Sequence, residues 1–409
     1  MTNNIRDAEV VAAVEGGSRL RLVLILGVLT ALGPFTVDMY LPALPTITAE
    51  FHTTETAVQL TLTGTLVGLA IGQLVVGPLS DMYGRRRPLV VGTVLHVMAS
   101  VFCFFAPSIA ALGALRTLQG FGAAATGVIA MAVVRDLFVG RAAAVVLSRL
   151  ILVMGVAPIL APSVGGLLLT AVSWQGVFLV LAGLGTVMMV LGGYAMPETL
   201  PPSARTSRGM ASVVRMYLTL GRDLPFLVLV LVCGLGRGVL WAYVAGSSFV
   251  LQDQFGLDPA WYGFAFAAGA VVLIAASQLN VVLLDRWSPH RISVASFLVS
   301  TAVGVGFVAL AATETGGVLG FALPVLVLMC ATGFVMPNAP ALALSRHGEA
   351  AGTAAALVGF AQFGAAALVA PAVGLLGNTS LAVAVAMTVS ATLGLFALVT
   401  VRGHSGQSA

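Results

Sequence analysis

Residues 20–45 read LRLVLILGVLTALGPFTVDMYLPALP, and this stretch decides the class of fold. From Leu22 to Val37 there is no charged side chain, so about 24 Å of helix, at 1.5 Å per residue, precedes Asp38. Such a helix nearly crosses the hydrocarbon core of a bilayer. A carboxylate inside it is costly and by default marks an ion or substrate pathway. The stretch therefore predicts a membrane-spanning helix that carries a functional acid.

The composition of the whole chain indicates a polytopic membrane protein. Of its 409 residues, 59% are apolar and 8% are charged, whereas about a quarter of the residues of a soluble domain are charged. The formal charge of +4 comes from arginines in short clusters between apolar runs, so it does not indicate nucleic-acid binding. The three cysteines lie in separate runs without paired spacing, which predicts neither a disulfide nor a metal site.

Twelve apolar runs are long enough to cross a bilayer. They cover approximately residues 20–42, 57–79, 88–106, 109–133, 144–170, 174–196, 224–250, 260–284, 291–312, 317–344, 351–376 and 379–401. All but two of the 19 arginines fall in the connections on one side, and the opposite connections have none. The positive-inside rule therefore predicts that both termini lie in the cytoplasm, which requires an even number of crossings.

The longest polar break follows the sixth run and divides the chain into two sets of six. We predict an amino-terminal six-helix bundle over residues 1–197, a cytoplasmic linker over 198–223 and a carboxy-terminal six-helix bundle over 224–409. Asp81 and Asp285 each follow the second helix of a half and precede arginine, as a duplicated unit would require.

A turn rich in glycine and arginine connects the second and third runs. It reads Gly77-Pro78-Leu79-Ser80-Asp81-Met82-Tyr83-Gly84-Arg85-Arg86-Arg87-Pro88. A tight turn whose arginines follow the positive-inside rule explains the glycines, the prolines and the arginines of this string, but not Asp81. A carboxylate at this place can cap the next helix and pair with Arg85 or Arg86, which would latch two helices together. The string matches G-x-L-x-D-x-x-G-R-R and resembles the signature of the major facilitator superfamily. That resemblance implies an all-α fold of twelve transmembrane helices in two pseudo-symmetric bundles around a central cavity.

Two arginines lie inside predicted spans. Arg116 is about 10 Å into the fourth span, and Asp38 lies about 6 Å from the same side in the first, so the two have similar depth. Arg116 either extends outwards to the interface or faces Asp38. Because each buried charge alone is costly, we favour a functional pair whose separation favours protonation of the acid. The Arg116 segment also resembles the fourth-span motif of proton-driven drug exporters.

The second intramembrane arginine, Arg237, lies about 20 Å into the seventh span. It either contacts substrate or carbonyl oxygens in a central cavity or uses Asp38 as its partner. His96, in the third span, is better explained as a neutral structural histidine than as a proton relay. Residues that could line a substrate pocket are Tyr40, Gln119, Trp241, Tyr243 and Phe360. Glutamines in spans, however, more often form hydrogen bonds between helices.

The fifth run contains Ala157-Pro158-Ile159-Leu160-Ala161-Pro162-Ser163-Val164-Gly165-Gly166. Pro158 and Pro162 each remove a backbone donor and bend the helix, while Gly165 and Gly166 permit close approach of a neighbour. A passive kink would explain the same residues. The string is similar to the G-x3-G-P-x2-G-G motif of exporters, with alanine in place of two glycines. That similarity implies efflux rather than uptake.

Four further segments are similar to the Bcr/CflA drug-resistance group of the superfamily. They are Pro34-x3-Asp38-Met39-Tyr40-Leu41-Pro42-Ala43-Leu44-Pro45, Arg135-Asp136-Leu137-Phe138, Pro197-Glu198-Thr199-Leu200-Pro201-Pro202 and Ala351-Gly352-Thr353-Ala354. The resemblance implies a cytoplasmic gate made by Gly77, Asp81, Gly84, Arg85, Arg86 and Asp136. It also implies export of antibiotics such as bicyclomycin or chloramphenicol-like phenicols in exchange for protons.

The sequence therefore predicts a multi-pass antiporter of the cell membrane that acts as a monomer in the lipid bilayer on a drug-like solute and protons. The alternative is a proton-linked exporter or uptake carrier of a metabolite such as an amino acid or sugar. No phosphate loop, metal motif or serine elbow occurs, so we expect no cofactor, no ATP hydrolysis and no enzyme activity. A membrane enzyme or receptor would need a catalytic cluster or a sizeable soluble domain, and neither is indicated.

Overall fold

The computed structural model describes residues 16–138, 140–205, 210–347 and 350–405. Both predicted cytoplasmic termini, and residues 206–209 of the predicted linker, lie outside the described residues. Within those ranges the chain forms helices joined by short turns, and the described part contains no β-strand.

The helices follow one another along the whole described chain. The α-helices are α1 (Gly16–Asp38), α2 (Leu44–Glu50), α3 (Glu55–Tyr83), α4 (Arg86–Phe104), α5 (Ile109–Leu137), α6 (Gly140–Leu168), α7 (Trp174–Val190), α8 (Met210–Leu220), α9 (Leu224–Phe249), α10 (Pro259–Leu284), α11 (Pro289–Ala312), α12 (Gly317–Leu344), α13 (Ala351–Leu375) and α14 (Ser380–Ser405). One-turn π-helices extend α7 (Leu191–Ala195) and α9 (Val250–Gln254), and 3-10 turns cover Leu41–Ala43 and Pro202–Ala204.

Eleven stretches of described helix are long and apolar enough to cross a membrane. The predicted run that is not among them, 144–170, coincides with α6, of which Val153–Leu168 qualifies as a shorter apolar helix. Each predicted run falls on one helix and ends within a few residues of it, because charges, prolines and N-cap residues mark the ends in the sequence.

Helix α8 was not predicted, since its eleven residues lie within the polar break taken as a linker. It docks on α3, where the Tyr217 hydroxyl donates to the Leu74 carbonyl oxygen at 3.0 Å. That carbonyl is available because its helical partner would be the N–H of residue 78, which is proline. Burial, and then the nearby Asp81, raise the pKa of Tyr217 to about 12, so the phenol keeps its proton at neutral pH.

The helices of the two halves pair in the same order. In the first half α1 packs against α5 and α6, α3 against α5, and α4 against α5 and α7. In the second half α9 packs against α12 and α13, α10 against α12, and α11 against α12 and α14. The halves meet through α3 with α13 and α6 with α10. This arrangement gives the molecule two faces: an arginine-rich face, where α3, α5 and α7 end, and an arginine-poor face, where α1, α9 and α13 end.

Glycines bring α3 and α5 into backbone contact. A Cβ atom on Gly68 would lie 2.1 Å from the carbonyl oxygen of Thr117, and one on Gly120 would lie 2.1 Å from that of Thr65. In lipid, helices associate through such close packing rather than through the hydrophobic effect. The stripe on α3 continues over Gly64 and Gly72, so it fixes the position of α5 and of the residues that α5 carries.

We predict that Gly120→Ala lowers the thermal stability of the purified protein in detergent. The added methyl would overlap the Thr65 backbone, and overpacking of this kind costs about 1–3 kcal/mol. Gly127→Ala, on the same helix, is the matched control, because no atom lies within 4 Å of its added Cβ. We expect that control to be neutral or slightly stabilising, since alanine favours helix over glycine. Equal melting temperatures for both variants would contradict this packing.

Candidate functional site

Arg116 caps the end of helix α1. Its Nη1 donates to the carbonyl oxygen of Thr36 at 2.8 Å, one of the last carbonyls of a helix that ends at Asp38. Such carbonyls have no partner within their own helix, and a cation at a helix carboxy terminus also interacts favourably with the helix dipole. Arg116 is fully buried. It therefore faces the interior of the first half and does not extend to the interface.

The ring of Tyr40 covers one face of the Arg116 guanidinium, with 4.0 Å between Cζ and the ring centroid. A desolvated cation–π contact of this kind stabilises by about 2 kcal/mol. The Tyr40 hydroxyl lies 3.1 Å from the Thr61 hydroxyl, which donates its own hydrogen to the Val58 carbonyl oxygen. Tyr40 must therefore be the donor to Thr61. The ring is held in place by this bond.

A chain of hydrogen bonds leads from Arg116 across α4. Gln119 accepts from Arg116 Nη1 at 2.5 Å and donates to the Ser100 hydroxyl at 2.7 Å. The Thr36 hydroxyl donates to the Leu32 carbonyl oxygen, so it accepts from His96 Nε2 at 2.9 Å. His96 therefore carries its proton on Nε2 in this network, in agreement with a structural role, while its Nδ1 is buried without a partner.

Asp38 is the last residue of α1, and only 5% of it is exposed. Among the described residues it forms no salt bridge. The direct pair expected with Arg116 is therefore absent in this conformation: Nη1 of that arginine donates to Thr36 and Gln119, and its Nε and Nη2 have no hydrogen-bond partner among the described residues. The Asp38 carboxylate interacts through space with Arg237 and, more weakly, with Arg116. Both alternatives for Arg237 are compatible with this arrangement, since no salt bridge joins it to Asp38 among the described residues.

The other predicted pocket residues divide into two groups. Tyr40 and Gln119 are fully buried against Arg116, so no open space adjoins them in this conformation. Trp241 and Tyr243 retain 7% and 4% exposure on α9, and Phe360 retains 40% on α13. Tyr243 stacks on Phe266, with 5.2 Å between the ring centroids. The structure thus separates a packed cluster in the first half from aromatic side chains in the second.

The glycines of the fifth predicted span lie between the two halves. A Cβ atom on Gly165 would be 1.9 Å from the carbonyl oxygen of Met39, and one on Gly166 would be 2.3 Å from that of Pro259, in α10. The Ser163 hydroxyl shares its hydrogen between the carbonyl oxygen of Ile159 in its own helix, at 3.0 Å, and that of Gly263 in α10, at 3.1 Å. Pro158 and Pro162 lie inside the continuous helix α6 just before these contacts. This segment therefore joins the end of α1 to the start of α10.

Arg85 latches three elements at the arginine-rich face. Its guanidinium forms a two-pronged bond with Asp136 at the end of α5, at 2.8 and 3.1 Å. It also donates to Asp81 at 2.5 Å and to Ser80 at 2.7 Å, and Ser80 in turn donates to the Gly77 carbonyl oxygen. Burial opposes the charged form of Arg85, but the bonds from Asp136 and Asp81 outweigh it and raise its pKa. Of the two arginines proposed for Asp81, the structure selects Arg85.

The cap of helix α4 comes from Glu198, not from Asp81. Its carboxylate accepts from the backbone N–H groups of Arg85 and Arg86 at 2.8 and 3.3 Å, and it lies 3.9 Å from the Arg205 guanidinium. The guanidinium of Arg86 donates a hydrogen bond to the Gly193 carbonyl oxygen. Gly84 has φ of +90°, and a Cβ atom there would lie 2.4 Å from the Glu198 carboxylate. The sequence did not predict this capping role of Glu198, because 113 residues separate it from Arg85.

A second ion-pair cluster on the arginine-rich face was also missed. Asp223 caps α9 through the Phe226 N–H at 3.4 Å, and it accepts from Arg346 at 3.3 Å and from His347 at 2.8 Å. Burial opposes ionisation of Asp223, but the bonds from Arg346, Phe226 and His347 prevail and lower its pKa. Asp285, the residue predicted as the counterpart of Asp81, is exposed and forms no ion pair with described residues.

Hydrogen bonds between the halves cluster at the arginine-poor face. Asn378, with φ of +53°, donates to Glu55 at 2.7 Å and accepts from Gln59, which also donates to the Ala245 carbonyl oxygen at 2.9 Å. Ser248 and Gln252 of the second half donate to the Leu41 and Pro42 carbonyl oxygens. With the Ser163 bond to Gly263, these contacts form what we call the seam.

The contacts of Arg85 with Asp136, Asp81 and Ser80, which we call the latch, lead to a testable prediction. Arg85→Lys keeps the positive charge but loses the two-pronged bond to Asp136, so we expect unfolding of the purified protein to become easier by about 1–3 kcal/mol. Arg87→Lys is the matched control, because Arg87 is exposed and its side chain makes no hydrogen bond with described residues. Equal thermal unfolding of the two variants would show that the latch does not stabilise the fold.

The described residues contain no group of histidine, cysteine or carboxylate side chains that could hold a metal ion. What the site offers chemically is one buried carboxylate, Asp38, the buried guanidinium of Arg116 and the partly accessible guanidinium of Arg237. A carboxylate in such a place can exchange a proton or attract a solute, and it needs no cofactor to do so.

Comparison with known proteins identifies the family. The family profile described as Major Facilitator Superfamily matches residues 26–371. The uncharacterized MFS-type transporter YdgK of Bacillus subtilis (strain 168) is 36% identical over 389 residues, which cover 93% of this chain and 95% of that protein. The bicyclomycin resistance protein homolog of Haemophilus influenzae is 30% identical over 85% of this chain and 87% of its own length. The multidrug resistance protein MdtL of Escherichia coli is 29% identical over 82% and 83%.

Solved structures agree on the fold. A crystal structure of the D-xylose-proton symporter superposes with a TM-score of 0.72 at 15% identity, covering 93% of this chain and 97% of that one. The partially occluded inward-open xylose transporter XylE of Escherichia coli gives a TM-score of 0.71 at 12% identity, over 93% and 96%. The protein is a transporter and a multi-pass protein of the cell membrane. The chain belongs to the major facilitator superfamily, and its relatives are consistent with the Bcr/CflA drug-resistance group expected from its motifs.

Proposed function

We propose that the chain exports small amphipathic drugs, such as phenicols or bicyclomycin, in exchange for protons by alternating access. The observation that carries the proposal is Asp38, a buried carboxylate that interacts with Arg116 of its own half and Arg237 of the other. The names of the bicyclomycin resistance homolog and of MdtL support a drug as substrate. The likeness to xylose transporters concerns the fold alone and does not favour a sugar.

The proposed architecture is that of two six-helix bundles, residues 1–197 and 224–409, joined by the linker 198–223, with twelve crossings in a monomeric chain. The equivalent helix pairings of the two halves support this division. The arginine-rich face would be cytoplasmic, with both termini on that side. In this orientation the seam closes the external face, and substrate would enter from the cytoplasm.

The proton cycle follows from opposing effects on Asp38. Burial and its place at a helix carboxy terminus disfavour the ionised carboxylate, while the two guanidiniums favour it. Uptake of a proton from outside neutralises Asp38 and removes its attraction for Arg237 across the halves. Release of the proton into the cytoplasm restores that attraction. The inward proton gradient would thus drive the change between conformations and the outward movement of the drug.

We predict that Asp38→Asn abolishes drug-linked proton movement. Purified protein in liposomes with an internal pH dye should change the lumenal pH when chloramphenicol is added, and the Asn variant should not. Asp285→Asn is the matched control, since Asp285 is exposed and unpaired among the described residues. If the Asp38→Asn protein still concentrates chloramphenicol against a gradient, the proton role of this carboxylate is wrong.

The seam makes a second prediction. Asn378→Gly keeps the left-handed backbone but removes the side-chain bonds to Glu55 and Gln59, so the external face should open more often. We expect maleimide labelling of Ala245→Cys, in a protein without native cysteines, to accelerate several-fold. Glu314→Gly is the matched control, because Glu314 also has a positive φ, +52°, at this face, and its side chain makes no hydrogen bond or salt bridge to the first half among the described residues. Equal labelling rates would contradict the seam as a gate.

A further inference from the structure

Helix α9 presents a row of donors without acceptors. Cys233, Arg237 and Trp241 are four residues apart and therefore share one face of the helix. Trp241 is 93% buried, with 7% exposure, yet its indole Nε1 has no hydrogen-bond partner among the described residues. Arg237 Nε is likewise buried and has no partner in the part of the chain that the structure describes. Buried donors are usually bonded, so two on one face call for an acceptor that comes from elsewhere.

The charges around this row do not balance. Among the described residues, the carboxylate of Asp38 interacts with the guanidinium of the fully buried Arg116 and with that of the partly accessible Arg237. The interior therefore carries excess positive charge when Asp38 is ionised, and more when it is protonated. Arginine does not lose its proton in proteins, so no step of a transport cycle removes this excess. In a low-dielectric interior the excess repels a cation strongly.

Arg237 is better placed than Arg116 to meet a solute. Arg116 is fully buried, covered by Tyr40 and bonded to Thr36 and Gln119. Arg237 keeps part of its surface accessible, and Trp241 beside it packs near Phe363, with 6.4 Å between the ring centroids. The row therefore combines free donors, positive charge and aromatic surface.

We propose that the Arg237–Trp241 row binds neutral or anionic amphipathic solutes that carry hydrogen-bond acceptors on an aromatic group, and that it excludes lipophilic cations. This inference rests on the proposed export function and names the substrate class of that site. The acceptors satisfy Arg237 Nε and Trp241 Nε1, and the aromatic group packs against Trp241 and Phe363. A cation would meet the same guanidinium without an acid to neutralise it.

The test uses three small ligands that share a nitrophenyl group and differ in charge: 4-nitrobenzyl alcohol, 4-nitrobenzoate and 4-nitrobenzyltrimethylammonium. Equilibrium binding to the purified full chain in detergent should be at least tenfold tighter for the first two. Arg237→Met should weaken these two at least tenfold and remove the discrimination against the cation. Arg237→Lys should keep the order of preference. Arg286→Met, which removes an exposed arginine from the arginine-rich face, should behave as the parent protein.

Binding of the cation as tightly as the alcohol, binding of none of the three, or an unchanged preference in Arg237→Met would each overturn the inference. The proposed function is judged separately by proton exchange in liposomes. Selective binding without drug-linked proton movement would contradict export and leave the selectivity in place. Drug-linked proton movement with cationic drugs alone would support export and overturn the selectivity.

Discussion

The carboxy-terminal end of helix α1 is the constraint on which the site depends. A helix that ends inside a membrane protein leaves carbonyl groups that water cannot reach, and the protein must supply donors for them. Arg116 is that donor for Thr36, and its charge then requires Gln119 and the Tyr40 ring. These partners hold α1, α4 and α5 together. Asp38 lies at this same helix end, so its surroundings are fixed before any substrate is present.

The same helix end connects the acid to the contact between the halves. Leu41 and Pro42 lie three and four residues after Asp38, and their carbonyl oxygens accept bonds from Ser248 and Gln252 of the second half. Gly165 packs on the Met39 carbonyl oxygen between them. In the proposed cycle, a change of charge at Asp38 therefore acts on a segment that itself forms part of the seam. The proposed coupling between proton and conformation needs no long pathway, since a few covalently linked residues separate the two.

The helices could be predicted well from the sequence, because apolar runs in a membrane protein end at charged residues and prolines. Each such residue can be recognised without knowledge of its partners in the fold. The sequence also predicted the burial of Asp38 and Arg116 and a pairing of Asp81 with Arg85 or Arg86, of which the structure shows the one with Arg85. It missed bonds between distant segments, such as Glu198 with the start of α4. It did not predict that Arg116 donates to the Thr36 carbonyl oxygen. An unpaired carbonyl group at the end of a helix can belong to any type of residue, so the sequence does not reveal it. Leu74 is an exception that could have been found, since Pro78 leaves its carbonyl without a partner.

The two faces of the molecule hold it together in different ways. On the arginine-rich face the Arg85 latch joins α3, α4 and α5 with the segment after α7, and Asp223 joins α9 to the end of α12. Both clusters lie within one half. On the opposite face the seam joins one half to the other. Each half is thus stiffened internally at the end where the halves share fewer polar contacts. In the proposed transport cycle, such bodies change their relative tilt by exchanging seam bonds and by repacking α3 on α13 and α6 on α10.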